Sequence, residues 1–128
     1  MAECDVISIS KSDYIYEYEI KISRSDFKAD FNKNKHKLML EGIGTKLVLE
    51  KNTTDTWYLT PNYFSFVVPK GLVSIDEIPS YAGLIYYEDS KFEVIKKPPI
   101  IHKTKATPNF IRQLSHNFNS LFINNFFL

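Results

Sequence analysis

Residues 14–23 read YIYEYEIKIS, and the alternation along this stretch constrains the chain more than any other feature. Period two, with aromatic and β-branched residues, predicts a β-strand. Tyr14, Tyr16, Tyr18, Ile20 and Ile22 share one face, predicted to be core; Ile15, Glu17, Glu19 and Lys21 share the other. Two carboxylates and an ammonium in a row on one face ask for a reason. Upstream, DVISIS (residues 5–10) predicts a second short strand and KSD (11–13) the turn of a hairpin. A three-residue turn pairs Ser10 with Tyr14, and so Asp5 with about Glu19. An Asp, a Glu and a Lys then converge. Crowded carboxylates repel unless a cation lies between them, and hard oxygen ligands suit Mg2+ or Mn2+. A lysine beside such a pair suits hydrolysis, where it can orient water or neutralise charge developing on phosphorus. The plainer reading of Glu19 and Lys21 is a cross-strand ion pair on a solvated face.

The following residues predict a mixed α/β (α+β) fold. Ser25 or Asp26 is a good N-cap, and Phe27, Phe31 and Leu38 recur at helical spacing up to Gly42 or Gly44, so one helix is expected there. Residues 46–60 read as two short extended pieces around a turn. NYFSFVV (62–68) predicts a strand ended by PKG, residues 76–82 a short helix or turn, and 83–88 and 92–97 a last pair of strands. Thr107 and Pro108 open a C-terminal amphipathic helix over 107–128, with Phe110, Leu114, Phe118, Leu121 and Phe122 as its stripe. Its apolar end offers a homo-oligomer interface or a face docked on the chain's own sheet.

The chain has 128 residues, enough for one domain, 1–128, with one core. At 44% hydrophobic and 15% aromatic it has the means to pack that core, which argues against disorder. No apolar run approaches a bilayer-spanning helix, so no membrane partner is expected. The lone Cys4 and the acidic start, without a signal peptide, predict a cytoplasmic protein. With a net charge of +1, nucleic acid would have to be met through a local patch, and KADFNKNKHK (28–37) is the best candidate. A second basic run comprises Lys96, Lys97, His102, Lys103 and Lys105. Either patch reads equally as a solvated surface.

Asp5 and the Glu19-Ile20-Lys21 triplet, set across a hairpin, resemble the core of the PD-(D/E)XK nuclease superfamily. EIKISRSDFKADF (19–31), then YFSFVVPKGL (63–72), then IPSYAGLIYY (78–87), is similar to small stand-alone nucleases of DNA repair or phage origin. The likeness spans Asp5 to about Lys97. It implies a restriction-endonuclease-like mixed central sheet flanked by helices, here with the first core helix missing and Cys4 in place of the usual proline. It implies a metal-dependent deoxyribonuclease acting on DNA. Asp5 and Glu19 would hold Mg2+ or Mn2+, and Lys21 would be the catalytic lysine. The alternative is a catalytically reduced nuclease fold that binds DNA or serves assembly. Ser23, Arg24, Asp26 and Asp30 are implied as support around the site. Asp26 also reads simply as a helix cap, and Arg24 could pair with Asp26 or Asp30. Glu17 reads as a solubilising residue, with an auxiliary role at the site as the alternative. Lys33, Lys35, His36 and Lys37 are candidate DNA contacts or a solvated helix face.

Overall fold

The chain turns first at residues 11–13, where Asp13 adopts a left-handed conformation (φ 64°), a region open to Asp at small cost. The backbone closes there through Ser10 N–H to Tyr14 C=O at 2.9 Å. This turn joins β1 (Val6–Ile9) to β2 (Ile15–Ile20), antiparallel, with Val6 opposite Tyr18 and Ile7 opposite Glu17. The expected hairpin register therefore holds. The computed structural model describes residues 6–48, 56–106 and 121–122.

Two helices follow in place of the one expected. Ser23, not Ser25 or Asp26, is the N-cap of α1 (Arg24–Asp30), its hydroxyl accepting from the Asp26 N–H at 3.2 Å. A turn through Asn32 and Asn34, both weak helix formers, separates α1 from α2 (Lys35–Leu40). Gly42 (φ 71°) ends α2: its N–H meets the Met39 carbonyl and the Ile43 N–H the Leu38 carbonyl, the two bonds of a Schellman cap. Next come β3 (Thr45–Val48) and β4 (Thr56–Leu59), a separate antiparallel pair. They are followed by β5 (Tyr63–Pro69), a 3-10 turn (Ile75–Glu77), β6 (Ala82–Glu88) and β7 (Lys91–Lys96). Leu121–Phe122 forms a short strand, β8, where a helix was expected. The remainder of 107–128, and with it any C-terminal interface, lies outside the described residues.

The main sheet has the order β7-β6-β5-β2-β1-β8. β2, β5 and β6 run parallel to one another, while β1 and β7 are antiparallel to their neighbours β2 and β6, so the sheet is mixed. The helices lie on one face. Phe27 of α1 and Met39 of α2 pack on Phe64, Phe66, Val68 and Leu84 of β5 and β6, all fully buried. Each such side chain contributes about 1.5–3 kcal/mol by leaving water. On the opposite face, Tyr18, Val67 and Ile85 form a smaller cluster.

Register shows which face of β2 is inside. Glu17 lies opposite Phe64 and Glu19 opposite Phe66, so the carboxylates share the helix-covered core face. The expected division is thus reversed at its end: Ile20 is 43% and Ile22 69% exposed, while Glu17 and Glu19 are buried. Among the described residues, no helix is long and apolar enough to cross a membrane.

Candidate functional site

The carboxylates of β2 are buried because the helical segment brings them cations. Lys35, at the start of α2, is itself buried and reaches between the two: its Nζ lies 3.3 Å from Glu17 Oε2 and donates to Glu19 Oε1. The same ammonium sits 5.2 Å above the Phe64 ring. Lys21 Nζ lies 3.5 Å from Glu19 Oε2 and 2.9 Å from Asp30 Oδ1. Lys33 Nζ joins from the turn between the helices, 2.9 Å from Asp30 Oδ1 and 3.6 Å from Glu19 Oε1. Three carboxylates and three ammoniums thus interlock. Asp30 Oδ2 is 2.5 Å from His36 Nε2, and His36 Nδ1 is 2.7 Å from the Tyr81 hydroxyl.

Burial and pairing pull these groups in different directions. Desolvation pushes the Glu17 carboxyl up to about 7 against the attraction of Lys35. Glu19 is raised for the same reason, with Lys35 again opposing. Burial would raise Asp30 too, but His36, Lys33 and Lys21 outweigh it and hold Asp30 well below the usual carboxylate range. Burial would lower Lys35, yet Glu17 and Glu19 more than offset it and keep its ammonium charged. Glu17 Oε1 is buried with no hydrogen-bond partner among the described residues, a costly state for a carboxylate oxygen.

The cluster opens on one side. A cleft lined by Ile20, Lys21, Ile22, Asp26, Asp30 and Lys33 borders it, just past the carboxyl end of β2. Ligands of open α/β sheets bind at such strand ends.

The residues singled out from sequence take different places in the structure. Glu19, Lys21 and Asp30 come together, with Lys21 and Asp30 lining the cleft and Glu19 buried. Glu17 joins them from inside; it is buried and ion-paired, the opposite of a solubilising residue. Lys35 and His36, expected as DNA contacts, are buried against carboxylates, where an external phosphate has no access. Arg24 pairs with neither Asp26 nor Asp30. It donates to Glu77 Oε1 at 2.6 Å and to the Leu72 carbonyl at 2.9 Å, tying α1 to the loop after β5. Ser23 and Asp26 are the cap and first turn of α1. Lys33 and Lys37 keep solvent contact. In the second basic run, His102 accepts and donates within the structure, at 2.8 Å from the Thr60 carbonyl, and Lys96 donates to the Pro79 carbonyl. Asp5 lies outside the described residues. Tyr81, which sequence reasoning treated as no more than part of a matched block, belongs to the network; nothing in its local sequence marks it.

As to a metal, the donors fit a hard cation in kind: Glu17, Glu19 and Asp30 offer oxygen only, and one Glu17 oxygen is unpartnered. Among the described residues, though, no group of three His, Cys, Asp or Glu is placed to hold one. An ion at Glu19 would therefore have fewer than three such ligands among the described residues.

The sequence matches no protein-family model and no curated protein. Among solved structures, it resembles a Silicibacter pomeroyi protein of unknown function, with a TM-score of 0.55 and 21% sequence identity over 90% of this chain. The chain spans 62% of that protein's length. The likeness shows a shared fold: a mixed α/β domain.

Proposed function

We propose that this chain is a metal-dependent deoxyribonuclease with a restriction-endonuclease-like core of the PD-(D/E)XK type. Its action would be hydrolysis of DNA phosphodiester bonds, in DNA repair or in phage or mobile-element DNA processing. The observation that carries the reading is the placement of Lys21. Its ammonium is held between Glu19 and Asp30, 3.5 Å and 2.9 Å away, at the edge of an open cleft. An ammonium so fixed can orient an attacking water or neutralise charge developing on a phosphoryl oxygen. Glu19, together with Asp5, would hold Mg2+ or Mn2+. When bound, such an ion lowers the pKa of water and polarises the phosphoryl group. Lys33 and Lys37, on the solvent side of the same segment, are the residues offered to the DNA backbone.

The test is cleavage of plasmid and single-stranded DNA in Mn2+ by the wild type, Glu19→Gln and Lys21→Ala. Loss of at least about 100-fold in either variant is expected. Equal cleavage by all three would refute the proposal.

A second reading, a nuclease fold that binds DNA without turnover, is favoured by the position of Lys35. Its ammonium occupies the space between Glu17 and Glu19, where a cation would bridge them. That reading expects salt-sensitive DNA binding, unchanged in Lys21→Ala, and no cleavage by any variant.

A further inference from the structure

We propose that Asp30 is a positioning residue that sets the Lys21 amine, and that it is itself set by His36 and Tyr81. A lysine has a four-carbon stem and loses much rotamer freedom when held in one place, so a fixed lysine needs a fixed partner. Lys21 lies past the end of β2, and the carboxylate nearest its ammonium comes from the last residue of α1. The two oxygens of Asp30 have separate tasks. Oδ1 faces the ammoniums of Lys21 and Lys33, both at 2.9 Å, and Oδ2 faces the imidazole, at 2.5 Å. Were neutralisation all that Asp30 required, the lysines would suffice. The imidazole adds direction. With Nε2 donating to Asp30, Nδ1 is free to accept from the Tyr81 hydroxyl at 2.7 Å, which fixes the ring about its axis. The ring is further held by Phe66, parallel at 6.0 Å, and by Phe64, edge-on at 5.5 Å. Tyr81, His36, Asp30 and Lys21 thus form a chain of contacts from the segment before β6, through α2 and α1, to the cleft.

What Lys21 does rests on the hydrolase reading; how Lys21 is held does not, so two measurements separate them. The first is the NMR signal of the lysine ammonium groups, seen only where the ammonium is held and shielded from exchange. The expected result is a Lys21 signal, assigned by its absence in Lys21→Ala. It should persist in Asp76→Asn, a change in the exposed 3-10 turn, and disappear in Asp30→Asn. The second is a double-mutant cycle on cleavage. Asp30→Asn is expected to lower kcat by about 10–100-fold with KM within about threefold, and Asp30→Asn/Lys21→Ala to be no slower than Lys21→Ala alone. A Lys21 signal unchanged in Asp30→Asn, or fully additive losses, would overturn the proposal. If the wild type cleaves no DNA, the hydrolase reading fails and the ammonium signal alone decides on Asp30. If Asp30→Asn does not fold, Tyr81→Phe, which removes one hydroxyl, replaces it. A Lys21 signal and kcat both unchanged by Tyr81→Phe would overturn the proposal as well.

Discussion

Glu17 has its carboxyl in the core, with one oxygen unpartnered and the other 3.3 Å from Lys35. Its pKa is raised from 4.5 to about 7 on folding, so between those values the folded chain binds the proton and the unfolded chain does not. Stability from this group is fully present below the lower value and is lost as pH rises through the upper one, at no more than about 1.4 kcal/mol per pH unit. Glu17→Gln keeps the shape and removes the titration. Urea denaturation between pH 5 and 8 should therefore give a flatter stability profile for Glu17→Gln than for the wild type, with the variant gaining most at the alkaline end. A profile as steep as the wild type's would rule out Glu17 as the source. Asp30 acts in the opposite sense, since its depressed pKa gives stability that is lost in acid. Neither behaviour was legible from sequence. Period-two alternation puts a charged residue on the solvent side by default, and the cation that reverses this for Glu17 is supplied eighteen residues further on.

Between α1 and α2 the sequence was read as one helix, and there the chain departs from its apolar spacing. Phe27, Phe31 and Leu38 do fit a single helix, but Asn32 and Asn34 interrupt it, and the turn brings Lys33 and Lys35 back over β2 and His36 onto Phe64 and Phe66 of β5. The hairpin of β1 and β2 and its approximate register were legible, because turn length and alternation fix the register together, while the second strand ends at Ile20, short of the expected Ser23. The buried triad of Glu17, Glu19 and Lys35 gives a prediction at this scale. Lys35→Met leaves two buried carboxylates without their shared cation and should cost roughly 3–5 kcal/mol. Replacing all three, as Glu17→Met, Glu19→Leu and Lys35→Met, should be neutral or stabilising by about 1–4 kcal/mol. Chemical denaturation of both proteins checks this. A triple variant as unstable as Lys35→Met would show that the triad holds the fold together in its own right.

At the scale of the molecule, a mixed sheet with helices on one face carries its ionisable cluster at the carboxyl end of a central strand, beside a cleft. The mixed class and the β1–β2 and β6–β7 pairs follow from local patterns that sequence shows; the parallel β2–β5 and β5–β6 pairings that set the strand order do not. The cluster depends on contacts between β2, the two helices and Tyr81, which no local pattern contains. Burying so many charges does little for stability alone, and under the proposed function they serve chemistry at the cleft. The most direct test measures thermal stability and Mn2+-dependent DNA cleavage side by side for Glu19→Gln. That substitution removes the buried charge that faces Lys35, Lys21 and Lys33. Loss of cleavage at a temperature where the variant is still folded is the predicted result, together with a lowered stability from the broken buried pairs; cleavage intact in the folded variant would contradict it.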